Sequence, residues 1–115
     1  MKNTIRLDIT HPDKSRVEYF LSKVDDELEP VPFDAGELSG ADDIIAGFKF
    51  RLNGISAFVT VIFTDSYCDA AKIEAANLTT RPEIRWTING GILFGVESDD
   101  EEMVSGMLSW FAGKE

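Results

Sequence analysis

An α+β fold follows from three observations on this 115-residue sequence: two apolar hairpins with Asn-Gly turns, helical periodicity between and after them, and a length that suits one core. The length predicts a single domain over 1–115. The expected element order is β-α-β-β-α-β-β-α. It forms a two-layer sandwich, an antiparallel sheet with helices on one face.

The elements follow in order. From Thr4 to Thr10, Ile5, Leu7 and Ile9 alternate with Arg6 and Asp8, which predicts a half-buried strand. Pro12 ends it and Asp13 favours a helix start. Val17, Phe20, Leu21, Val24 and Leu28 then recur at helical spacing and predict an amphipathic helix. Residues Glu29 to Asp43 hold Pro30, Pro32, Gly36 and Gly40, which read as an irregular loop with a short helical turn near Glu37. The stretch from Asp25 to Asp43 contains many carboxylates and neither Lys nor Arg.

Phe48, Phe50 and Leu52 alternate with Lys49 and Arg51, and a second apolar run extends from Ile55 to Phe63. Asn53-Gly54 between them suits a two-residue turn, which sets Phe50 opposite Ala57 and Phe48 opposite Val59. Ser66 and Asp69 form a capping box for a helix whose Ala70, Ala71, Ala75 and Leu78 make a small-residue face. Thr79, Thr80 and Pro82 end it. Ile84, Trp86 and Ile88 begin the second hairpin. A three-residue Asn89-Gly90-Gly91 loop sets Trp86 against Phe94 and Ile88 against Ile92, burying more apolar area than a two-residue loop. Ser98-x-x-Glu101 is a second capping box. Met103, Val104, Met107, Leu108 and Phe111 form the buried stripe of the last helix, Trp110 lies at its edge, and Gly113 stops it.

Composition excludes several functions. A formal net charge of −10 opposes nucleic-acid backbones and anionic membranes, since binding phosphate needs clustered Lys and Arg. No apolar run approaches the roughly 20 residues of a membrane span. Met1 to Arg6 lacks the apolar core of a secretory signal, so a cytoplasmic location is expected. A single cysteine, Cys68, excludes an internal disulfide framework.

Chemistry-bearing patterns are sparse. His11 is the one histidine, beside Pro12, and reads as a turn residue. Cys68 sits near a helix N-terminus, where thiols can be activated, but a small core residue facing the sheet is the expected role. Asp42-Asp43 and Asp99 to Glu102 lack the spacing of a calcium loop, and the glycines form no phosphate-binding motif. No catalytic residue, metal site or cofactor is expected, and the chain does not read as an enzyme.

One surface stands out. The sheet face away from the helices is expected to carry Lys49, Arg51, Phe58, Ile62, Arg85 and Leu93, with Thr60, Thr87 and Arg6 beside them. Basic heads among exposed apolar groups suit a partner-binding face; a third layer or the long loop covering it is the alternative.

The C-terminal half resembles the type III secretion chaperone-like family. A helix ending Ala75-Ala76-Asn77-Leu78, a hairpin carrying Trp86 and Phe94, and a capped helix with Leu108 ending Trp110-Phe111 bear the resemblance, over residues 55–112. It implies a small, acidic, cytoplasmic and usually dimeric protein that holds another chain. The expected function is therefore a non-catalytic protein-binding domain, chaperone-like and homodimeric, using the sheet face and the C-terminal helix. Two alternatives stay open: an acidic inhibitor or immunity-type protein capturing a basic partner, and a small-molecule-binding domain using a cleft between loop and sheet.

Overall fold

The strand β3 (Phe58–Phe63) has the sequence Phe-Val-Thr-Val-Ile-Phe, with no charged residue to turn toward water. A strand of that composition needs cover on both faces. In the computed structural model, described over residues 4–53 and 56–113, β3 lies at the centre of a five-stranded antiparallel sheet. The strand order is β1 (Leu28–Val31), β2 (Ala46–Leu52), β3, β5 (Ile92–Glu97), β4 (Arg85–Asn89). Three α-helices complete the described residues: α1 (Lys14–Ser22), α2 (Tyr67–Thr80) and α3 (Glu101–Phe111). This is the expected α+β class.

The helices do not share one face. Val59, Val61 and Phe63 of β3, with Ile92, Phe94 and Val96 of β5, pack against Val17 and Leu21 of α1 and Val104 and Phe111 of α3. On the other face Ile62 and Leu93 meet Ala70 and Ile73 of α2, with Leu38 and Trp86. The expected two-layer arrangement thus gains a third layer.

The N-terminal segment buries Ile5 and Leu7 as its alternation predicts, but residues 4–10 form no strand. It joins the α1 and α3 side of the core, and the Leu7 N–H donates to Glu18 on α1. The helix that follows is shorter than its periodicity suggests. It stops at Ser22, whose hydroxyl donates to the Tyr19 carbonyl. Asp25 and Asp26 then oppose the negative end of the helix dipole. Leu28, the last residue expected in the helix, instead opens β1 and pairs with Leu52.

Asn53 explains that early exit. It lies at φ +49°, and its side chain accepts from the Glu27 N–H at 2.7 Å and donates to Asp26 at 2.7 Å. Its own N–H donates to the Glu27 carbonyl at 2.8 Å. The residue expected to make a turn therefore also clips the strand entry beside it. Gly54 and Ile55 of that turn lie outside the described residues. The loop is longer than two residues: Phe50 pairs with Val59 and Phe48 with Val61. A shift of two leaves each side chain on its expected face, because strand side chains alternate with period two.

The second hairpin differs by one residue, and that flips a face. Asn89 enters β4, leaving Gly90-Gly91 as the loop, with Gly90 at φ +65°. Trp86 pairs with Gly95, not Phe94, and Ile88 with Leu93. Steric fit decides the register. A Cβ on residue 95 would come within 2.6 Å of the Trp86 ring and 2.8 Å of Ile84. Trp86 and Ile88 consequently join α2, while Arg85, Thr87 and Asn89 turn toward α3.

Ser66 caps α2 as expected, accepting from the Asp69 N–H at 3.2 Å. The buried stripe is Ala70, Ile73 and Asn77, whereas Leu78 is 59% exposed. Ala75 is exposed and Ala71 half-buried, so the expected small-residue face is rotated from the true one. Cys68 is exposed, not a core residue. For α3, the N-cap is Asp100, which accepts from the Met103 N–H; Ser98 instead accepts from Asp100. Gly113 follows at φ +81°.

Of residues 29–43, expected as irregular loop, 29–31 belong to β1, and the rest contain short 3-10 turns at Ala35–Glu37, where a helical turn is expected, and at Ala41–Asp43. Asn77 bolts this stretch to α2. Fully buried, it accepts from the Ser39 N–H at 3.2 Å and donates to the Ser39 carbonyl at 3.0 Å and the Ile73 carbonyl at 2.7 Å.

Two outcomes test this packing. Gly95→Ala should lose about 1–3 kcal/mol in denaturant unfolding, because the ring over residue 95 has to move. Asn77→Ala should cost a similar amount, roughly 1–3 kcal/mol, by leaving buried backbone groups unpaired. Hydrogen exchange should then rise first at Ser39.

Candidate functional site

The third layer decides the fate of the expected partner face. Ile62 and Leu93 have no exposed surface beneath α2, and Thr60 is also buried. Arg85 points to the opposite side and meets Glu101 of α3 at 3.1 Å on the surface. Arg6 is exposed in the N-terminal segment, outside the sheet. The structure keeps three of the six expected residues together. Lys49 and Arg51 lie on β2 beside Phe58 on β3, and the Lys49 ammonium sits 4.5 Å from the Phe58 ring centroid. The Arg51 Nε is buried and makes no hydrogen bond within the described residues.

Beside this remnant, the 32–38 loop stands off the sheet and leaves a cleft of about 210 Å³. Phe33, Leu38 and Ile84 give it apolar walls, and Lys49 and Arg81 stand among four carboxylates, Asp34, Glu37, Glu83 and Glu97. Arg81 also donates to the Glu37 carbonyl at 3.3 Å, tying the loop to the end of α2. Among the described residues no nucleophile and base are hydrogen-bonded to each other in this cleft.

A second concave surface lies on the other side of the molecule, between the residues that follow α1 and one flank of α3. It is a groove of about 270 Å³ lined by Lys23, Val24, Asp25, Asp26, Met103, Gly106, Met107 and Trp110. Helical spacing puts Met103, Gly106, Met107 and Trp110 on one strip of α3, since residues three and four apart are neighbours. Trp110 is fixed there: its indole N–H donates to the Phe20 carbonyl at 3.0 Å, and its ring meets Phe20 edge-on at 5.1 Å. Tyr19, 53% exposed, lies 6.3 Å from the same indole, and the Lys23 ammonium lies 5.5 Å from the tyrosine ring. Met103 and Met107 pack against the core as expected of the buried stripe, and both are only half-buried and also line this groove. The available signal was Gly106, a glycine inside an otherwise well-formed helix.

His11 serves the fold. Its Nδ1 accepts from the Asp13 N–H at 3.1 Å, so Nε2 is the protonated nitrogen and donates to the Thr64 carbonyl at 3.1 Å. Its ring packs edge-on against Phe63 at 5.0 Å. The imidazole thereby joins the start of α1 to the end of β3. Among the described residues no group of three or more His, Cys, Asp or Glu side chains is placed to hold a metal. No helix among them is long and apolar enough to cross a membrane. Burial raises the Glu74 carboxyl above the usual range, on α2 and away from both concavities.

With both surfaces defined, comparison with known proteins adds nothing. No family model, curated protein or solved structure matches this chain.

Leu93→Asp distinguishes core from partner surface. It should remove on the order of 3–5 kcal/mol, because the charge would be buried without a partner. Circular dichroism would show a largely unfolded chain. A folded variant with unchanged melting would restore Leu93 to the surface.

Proposed function

We propose that this chain is a non-catalytic protein-binding domain that presents the groove between α1 and α3 to another polypeptide. The observation that carries the reading is the strip formed by Met103, Met107 and Trp110. These are half-buried apolar side chains that pack against the core beside the fully buried Val104 and Phe111 and also line the groove. Methionine side chains adapt to varied partners, and an indole held by its N–H offers a fixed apolar anchor. The resemblance of residues 55–112 to secretion chaperones points the same way, toward a small acidic protein that holds another chain.

The cleft under the 32–38 loop favours a second reading, a small-molecule-binding domain. Lys49 and Arg81 opposite Glu83 and Glu97 would suit a compact ligand carrying both charges. A metabolite screen should then raise the melting temperature with one such compound, and Lys49→Gln should abolish the shift.

For the first reading, the test replaces Met103 and Met107 with glutamine, which keeps chain length and helix propensity while removing apolar character. Light scattering decides whether the bound polypeptide is a second copy. Retention of other proteins on the immobilised domain decides whether it is a different chain. The double variant should stay folded and lose at least about tenfold in association, equivalent to roughly 1.4 kcal/mol. Undiminished association would remove the groove from the reading.

A further inference from the structure

Gly106 has no explanation among the described residues. It sits in the middle of α3, exposed, and a Cβ built on it meets nothing within 4 Å. Other glycines have reasons: Gly95 makes room for Trp86, Gly47 for Phe33, and Gly113 takes the left-handed conformation that ends α3. Glycine inside a helix weakens it relative to alanine, through the extra backbone freedom it loses on folding. Its remaining physical use is to let another backbone approach closely.

We propose that the groove between α1 and α3 receives a positively charged amphipathic helix of a partner protein, whose backbone crosses closest at Gly106. This rests on the protein-binding reading above. The occupant's apolar side would lie on Met103, Met107 and Trp110, which flank the glycine along α3. That is the arrangement in which a helix seats anchors three, four and seven residues apart. Charge selects the occupant. Asp25 and Asp26 stand on the rim that follows α1, and Glu102 lies one turn before Gly106, while among the described residues Lys23 is the single cation lining the groove. A second copy would bring the same carboxylates and another net charge of −10. A lysine- or arginine-rich helix is drawn in by them.

The experiment uses the whole chain with isotope-labelled methionine methyls. Two synthetic helical peptides share one leucine face; one carries lysine on its polar face, the other glutamate. The lysine peptide should shift the Met103 and Met107 resonances, and its affinity should weaken severalfold with added salt without vanishing, since the apolar contacts persist. The glutamate peptide should not bind. Gly106→Ala and Gly106→Gln should both raise the melting temperature by a few degrees, being better helix formers in open space. Gly106→Gln should nevertheless weaken lysine-peptide binding at least about tenfold. Gain of stability with loss of binding is not what a merely structural glycine gives.

Undiminished binding to Gly106→Gln overturns the proposal, as does equal binding of both peptides or binding that leaves the two methyls unmoved. A dimer that Gly106→Gln dissociates assigns the groove to a second copy; this overturns the cationic occupant and leaves the protein-binding reading standing. That reading fails separately, if the methionine double variant associates as well as the parent.

Discussion

The burial of β3 on both faces is the constraint from which the rest of the structure follows. Five of its six residues, Val59 to Phe63, are buried; Val59, Val61 and Phe63 join one apolar cluster and Ile62 the other, with Thr60 buried on the side of Ile62. A sheet centre of this kind cannot stand with one side wet. One cover comes from α1, α3 and the N-terminal segment, the other from α2 and the loop before β2. The second cover is small and needs reinforcement, which Asn77 supplies by hydrogen-bonding both backbone groups of Ser39. A fully buried amide is tolerated because its side-chain groups have backbone partners.

The sequence was most legible where period and turn chemistry agree. Both hairpins and all three helices were readable, because alternation and helical spacing report directly on which residues leave water. The misses share another origin. The strand β1 carries Glu29 and Pro30, and its pairing depends on Asn53, a residue far along the chain whose side-chain bonds leave no periodic trace. The second hairpin's register turns on a close fit of Trp86 over Gly95. A rule maximising apolar cross-strand pairs passes over a glycine that contributes by leaving space. The rotation of α2 was misread because alanines resemble a packing face wherever they stand, while the buried polar residue, Asn77, was the true marker.

The candidate site was legible only in part. On the C-terminal helix Met103 and Met107 pack against the core as their spacing predicts, and what the spacing does not report is that they also border a groove, since methionine is apolar whichever way it faces. The sheet face was chosen from alternation alone. That pattern tells which residues share a side but not whether a layer covers it, and α2 covers Ile62 and Leu93. What stays open of that face is a charged remnant beside a cleft, chemically unlike the apolar groove across the molecule. The two concavities therefore ask for different occupants, and the surplus of acid around both favours capture of cationic groups.

Asn89 carries a further consequence, for the order in which the chain can fold. Its side chain accepts from Arg16 on α1 at 2.5 Å and donates to the Phe111 carbonyl at the end of α3 at 2.8 Å. Trp110 reaches back to Phe20 in the same way. The first helix thus finds several of its lasting neighbours only in β4 and α3, across almost the whole length of the chain. Such long loops close slowly, because entropy is lost before the contacts form. On a ribosome, α1 waits through the synthesis of the entire sheet. Its apolar side, Val17, Phe20 and Leu21, meets β3 and β5 as the sheet forms but is fully covered only once residue 111 has emerged, which leaves part of it exposed on the nascent protein until then.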